Sequence, residues 1–393
     1  MSFDFDRVID RRNTHSGKWD SMDVRCGVDA PDAIAMWTAD MDFAAAPAVT
    51  KVLREEVERG AHGYYGSNES WRNAKCEWLA RRHGWSPEPD WLSTVPGVVA
   101  GIGLILQEFS DPGDDVIVFS PAYHVFRLII EANGRHIHNQ PMIDEQGRYR
   151  MDVAGLANNM PERAKIVLLC SPHNPGGRVW SAEELGEVAT FCEAHDLLLI
   201  CDEIHCDLVY PGAKHVPMAI AAPQIMDRLF TCVAATKTFN LAGAHVGAVI
   251  TSNEKMKARL DARIRACGMA SYNLFGMIAT EAALRDGDEW LDALLPYLAA
   301  NRDHFEAELT RVVPGVRPMA IEATYLSWVD FSGTGLAHDE VVERIGQRAR
   351  IGISDGPSFG PGGESYIRFN FATQRYWIDE ALSRLADAFA DIR

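Results

Sequence analysis

Short apolar runs recur through the first two thirds of the chain, each closed by small or polar residues and followed by an amphipathic stretch. Residues 115–119, 166–170, 197–201, 229–233 and 246–251 read as strands. Their side chains are apolar without alternation, the mark of strands covered on both faces. Helical spacing fills the gaps. Residues 47–60, 70–83, 97–109 and 121–132 read as helices, as do 181–195, where Ser181 and Glu184 form a capping box and Leu185, Val188, Ala189 and Cys192 share one face. The stretch 253–311 is helix-rich and leads to strands at 325–329 and 366–369. The alternation predicts an α/β fold, a mostly parallel sheet sandwiched by helices. It divides the chain into an irregular N-terminal arm, 1–43, a large domain, 44–290, and a smaller α/β C-terminal domain, 291–393.

Composition narrows the function. The 393 residues carry a net charge of −17, which argues against nucleic acid or an anionic membrane as the main partner. No apolar run approaches the length of a membrane span, and the polar, acidic start is unlike a signal peptide. The eight cysteines form no C-x-x-C pair, and three of them lie in strand-like runs. They read as small core residues of a cytoplasmic protein. The thirteen histidines show neither H-x-x-x-H nor H-E-x-x-H spacing, so no metal site is expected.

The chemistry sits where the apolar runs stop. In an open α/β sheet, ligands bind beyond the carboxyl ends of the strands. Ser120-Pro121-Ala122-Tyr123 follows one run, and Ser171-Pro172-His173-Asn174-Pro175-Gly176-Gly177 another. Asp202-Glu203-Ile204-His205 follows a third, and Ala234-Ala235-Thr236-Lys237-Thr238 a fourth. One aromatic, one amide, one carboxylate and one lysine therefore converge on a single edge. Taken singly, each has a plainer use: a lysine snorkels to water, Asn-Pro-Gly makes a turn, Asp caps a helix and Tyr packs in a core. Together they fit pyridoxal 5′-phosphate. A lysine in a semi-apolar pocket has a depressed pKa and forms a Schiff base with an aldehyde. Asp202 suits a protonated ring nitrogen, Tyr123 the ring face, and the Asn174 amide the phenolic oxygen. His205 stands as a partner behind Asp202. Gly97, Val98 and Val99 open a helix whose N–H groups suit a phosphate, and Thr236 adds a hydroxyl. Arg368, in the apolar run Tyr366-Ile367-Arg368-Phe369, suits a substrate carboxylate.

These motifs resemble the fold-type I pyridoxal-phosphate enzymes of the class I/II aminotransferase superfamily. Trp37-Thr38-Ala39-Asp40-Met41-Asp42-Phe43, Gly63-Tyr64, Pro96-Gly97-Val98-Val99 and Asp202-Glu203-Ile204-His205 are similar to its MalY/PatB-type C–S lyases. The resemblance implies a seven-stranded sheet and a homodimer with a shared active site, Tyr64 reaching the neighbouring subunit's phosphate. It assigns Lys237 as the catalytic residue, with Arg368, Trp37, Asp40 and Tyr325 toward the substrate. Two positions depart from the family pattern: Ala234 stands where a serine is common, and His245 where many aminotransferases have arginine. The implied activity is β-elimination from cystathionine or another S-substituted L-cysteine, giving pyruvate, ammonia and a thiol. The alternatives are an aminotransferase on the same scaffold, or a binding protein derived from it; the latter would have lost Lys237 or Asp202, and both are present.

Overall fold

The computed structural model of the protein describes residues 3–392; Met1, Ser2 and Arg393, the outermost residues of the predicted arm and C-terminal domain, lie outside the described residues. A seven-stranded sheet forms its centre. In chain order the strands are β1 (Leu92–Val95), β2 (Asp115–Ser120), β3 (His136–Pro141), β4 (Ala164–Cys170), β5 (Leu198–Asp202), β6 (Leu229–Val233) and β7 (Gly247–Ile250). They lie side by side as β1-β7-β6-β5-β4-β2-β3. Only β7 runs antiparallel to its neighbours β1 and β6; the other pairs are parallel. The carboxyl ends of β1, β2, β4, β5 and β6 therefore share one edge.

Unbroken apolar strands make sense in this setting. After the helices α1 (Pro47–Arg59) and α2 (Glu69–His83) come α3 (Val98–Phe109) and α4 (His124–Ala132), and Ile166, Leu168 and Cys170 of β4 join the core under these last two. Val167 and Leu169 point the other way, into the core shared with Leu185, Val188 and Cys192 of the helix Ala182–Ala194. Each face buries alternate residues, so period two is present in space and invisible in hydropathy. The capping box at Ser181 and Glu184 forms as expected, each side chain accepting the other's backbone N–H.

Two strands differ from the sequence expectation. β1, Leu-Ser-Thr-Val, is short and half polar, and β3, His-Ile-His-Asn-Gln-Pro, is an edge strand with only Gln140 buried. Both are fixed by partners in the sheet. The arm also departs from the irregular reading. A short helix, Met22–Cys26, ends at Gly27 in a left-handed conformation (φ 67°). Ile34–Ala35 then pairs in parallel with Ile351–Gly352. That pairing depends on a segment more than three hundred residues away, which no local pattern reveals. Near the C-terminus a four-stranded antiparallel sheet is built on Leu326–Asp330 and Tyr366–Asn370. It places Arg368 beside Ser354 in register.

Candidate active site

The sheet edge opens on a cavity of roughly 320 Å³. Five strand ends contribute to its wall. β1 supplies Pro96 and Gly97, β2 Tyr123, β4 Cys170 and Asn174. The loop after β5 supplies Asp202, Ile204 and His205, and the loop after β6 supplies Thr236 and Lys237. Ala39 of the arm closes part of the wall, and Val98, Val99, Ala242 and His245 line it too.

Lys237 is half-buried, and its Nζ donates to the carbonyl of Ala39 at 2.6 Å. Burial pushes its amine down to about 8, while the carboxylate of Asp40 pulls it back up. Asp202 is buried and stands on the same cavity. Burial pushes its carboxyl up to about 7, against the Ile204 N–H that it accepts at 3.1 Å and the charge of Lys237. A carboxyl poised in this way gains from a cationic partner. His205 is buried with an unpartnered Nδ1, and burial holds its ring neutral with a pKa of about 3.

Arg368 is buried behind the wall. Its two terminal nitrogens donate to Asn174 Oδ1 (2.9 Å), to the Trp37 carbonyl (2.9 Å) and to Ser354 Oγ (3.0 Å). The guanidinium lies 4.8 Å from the centre of the Phe359 ring. Its Nε has no partner, and no carboxylate pairs with it among the described residues. Burial lowers its pKa to about 10, so it is a cation at neutral pH held without an anion. The bond from Arg368 occupies Asn174 Oδ1 and leaves the amide nitrogen free to donate.

At the helix α3 terminus, Gly97 takes φ 104° and no side chain caps the first turn. The N–H groups of the first turn thus lack intrahelical partners, beside the hydroxyl-bearing Thr236. These features fit pyridoxal phosphate: an amine of lowered pKa, a carboxyl that wants a cation, a free amide, an aromatic ring at Tyr123 and an anion cradle.

The structure brings Gly97, Val98, Val99, Tyr123, Asn174, Asp202, His205, Thr236 and Lys237 to one wall. Trp37, Asp40, Tyr325 and Tyr64 do not line it, although the Asp40 carboxylate is close enough to act on Lys237 and the Tyr325 ring lies 6.4 Å from that of His205. Asp40 pairs with Arg11 at 2.8 Å, and the Trp37 ring nitrogen donates to the Lys18 carbonyl. Tyr325 is buried in the core, and Tyr64 is 95% exposed. Ala234, the first departure from the family pattern, is a core residue, whereas His245 is on the wall. The carbonyls of Trp37 and Ala39, with Ser354 and Phe359, were missed. Backbone carbonyls leave no trace in residue type, and Ser354 and Phe359 matter only through their contact with Arg368.

This fold and edge define an α/β enzyme of the fold-type I kind. The chain belongs to the class I and II aminotransferase family, whose pattern it matches over residues 32–385. It is 36% identical to the cystathionine beta-lyase PatB of Bacillus subtilis over 98% of this chain and 100% of that protein. Cystalysin from Treponema denticola, whose crystal structure contains pyridoxal 5′-phosphate, superposes with a TM-score of 0.95 at 31% identity and covers 100% of both chains. The pyridoxal-phosphate-bound C–S lyase of Staphylococcus hominis superposes with a TM-score of 0.92 at 28% identity, over 100% of this chain and 99% of that one.

Proposed function

We infer that the chain is a pyridoxal-phosphate-dependent carbon–sulfur β-lyase acting on cystathionine or another S-substituted L-cysteine. The observation that carries this is the placement of Lys237 and Asp202 on one cavity, with the anion-less Arg368 behind its wall and bonded to the wall residue Asn174, in a chain 36% identical to a cystathionine beta-lyase. The bound cofactor supplies the electron sink that lets a proton leave Cα and a thiolate leave Cβ.

The chain's residues do the rest. Lys237 would hold the cofactor aldehyde through its amine, and the same amine is the general base for the proton at substrate Cα. Asp202 would keep a proton on the ring nitrogen. Asn174 would donate to the phenolic oxygen through its free amide, and Tyr123 would offer its ring to the cofactor's. The first turn of α3 and Thr236 would hold the phosphate. Arg368 binds the substrate carboxylate, which orients the Cα–H bond toward Lys237. In balance, the amino acid and one water give thiol, pyruvate and ammonium.

We further propose that the enzyme is a homodimer. Its support is Tyr64, a large aromatic left in solvent within one chain. That the arm belongs to the smaller domain is supported by the pairing of Ile34–Ala35 with Ile351–Gly352; the expected boundary between 44–290 and 291–393 falls in the first turn of the continuous helix Asp288–Val312. A cytoplasmic location accords with eight unpaired cysteines. No helix of the described residues is long and apolar enough to cross a membrane.

The test is to offer the purified holoenzyme a panel of S-substituted L-cysteines. Equimolar pyruvate and thiol are expected. Accumulation of the amino form of the cofactor with a keto acid retaining its sulfur would make the enzyme an aminotransferase.

A further inference from the structure

A buried polar cluster lies beside the cavity and takes no direct part in the chemistry above. Its centre is Asp207, five residues beyond Asp202 in the same loop. Asp207 Oδ1 accepts from the Trp78 ring nitrogen at 2.9 Å and lies 2.6 Å from His83 Nε2. Oδ2 accepts from Thr238 Oγ at 2.6 Å. Lys75 is fully buried, and its ammonium has no hydrogen-bond partner among the described residues. Burial opposes the charge on Asp207, yet His83, Lys75 and Thr238 hold its carboxyl well below the usual range. His83, Cys206 and Asp207 have the proximity of a metal site, but both carboxylate oxygens are engaged by donors and the Lys75 charge repels a cation.

The position of Thr238 gives this cluster its meaning. Pairing between β5 and β6 ends at Asp202 and Cys232. One further backbone bond, from the Glu203 N–H to the Cys232 carbonyl, closes the ladder at 2.9 Å; beyond it the loops 204–208 and 234–241 make no backbone pairing with each other. Among the described residues, the Thr238–Asp207 bond is the one side-chain hydrogen bond that joins them. One loop begins at Asp202, and the other carries Lys237 immediately before Thr238. An ionised carboxylate is costly to bury, and here its second oxygen is spent on this single link.

We propose that Asp207 is a positioning residue, a strut that acts through Thr238 to set where the Lys237 amine stands relative to Asp202. The proposal rests on the reading of Lys237 as the amine that takes the cofactor. A charge-assisted bond of this kind is short and directional, so it fixes a loop that the sheet no longer holds. Trp78 and His83 fix the other oxygen, so the carboxylate cannot turn to follow a displaced Thr238.

The test uses Thr238→Val, which keeps shape and removes the donor, with Thr238→Ser and Asp207→Asn as companions. The first readout is the rate at which cofactor-free protein captures added pyridoxal phosphate at Lys237, trapped by borohydride and located by peptide mass. The second is kcat and KM of the loaded enzyme. Thr238→Val is expected to slow capture and lower kcat by about tenfold to a hundredfold, the scale of a misplaced reacting group. KM is expected to move less than about twofold, and Thr238→Ser to retain nearly wild-type values. Asp207→Asn should add little in the Thr238→Val background, because the two act as one unit. Wild-type capture and kcat in Thr238→Val, or equal impairment of the valine and serine variants, would overturn the strut. Should Asp207→Asn fail to fold, the valine and serine pair decides alone. A wild-type enzyme that captures the cofactor at Lys237 yet releases no pyruvate would overturn the lyase reading, while the capture rates still judge the strut.

Discussion

Lys237 and Asp202 are perturbed in opposite senses by the same burial, and each gives a measurable pH dependence. With the amine brought down to about 8, capture of pyridoxal phosphate by cofactor-free protein should rise with pH and level off above that value. A rate still climbing toward the ordinary lysine pKa would contradict the desolvated amine. For Asp202 the folded value, about 7, lies above the ordinary 3.8. The folded cofactor-free chain then holds a proton that the unfolded chain has lost. Its stabilising contribution is full below the ordinary value and disappears as pH rises through 7. Denaturant titrations of cofactor-free protein should show this loss in the wild type and not in Asp202→Asn. At this scale much of the site was legible, because Tyr123, Asn174, Asp202 and Lys237 each interrupt an apolar run where a polar group needs a reason. The carbonyls of Trp37 and Ala39, which receive Arg368 and Lys237, were not legible, since any residue type could have offered them.

Elements carry the next set of constraints. Gly97 occupies a backbone region open almost only to glycine, with nothing within 4 Å of where a Cβ would stand. Gly97→Ala therefore acts by strain and not by collision, at a cost of about 1–3 kcal/mol. It should weaken pyridoxal phosphate binding in equilibrium dialysis, because it distorts the first turn of α3. Ser181→Ala removes half a capping box at an exposed position that does not line the cavity. It should cost about 1 kcal/mol in thermal unfolding and leave kcat unchanged; a loss of activity would mean that this helix matters to the site in a way its capping does not explain. The apolar strands and the capped helix were readable because their pattern is local. β1 and β3 were not, for their polar side chains are tolerated only where a neighbouring strand satisfies the backbone, as the six paired positions between β2 and β3 do.

For the whole molecule, the sheet edge gathers the ends of five strands, and the arm closes over them through Ala39. Order along the chain therefore predicted convergence in space, whereas the pairing of the arm with Ile351–Gly352 required the fold itself. If Tyr64 completes a neighbouring subunit's phosphate site, sedimentation should give a dimer, and Tyr64→Ala should raise the rate of cofactor loss without altering the protein's circular dichroism. Unchanged cofactor retention would remove Tyr64 from the site. The proposed lyase requires that one amine, at Lys237, carry the cofactor in the cavity that Asp202 faces. Borohydride reduction of the holoenzyme followed by peptide mass mapping tests it most directly. A single pyridoxyl-modified peptide is expected, bearing the label on Lys237, with no label in Lys237→Ala; a label on another lysine, or none in the wild type, would overturn that role.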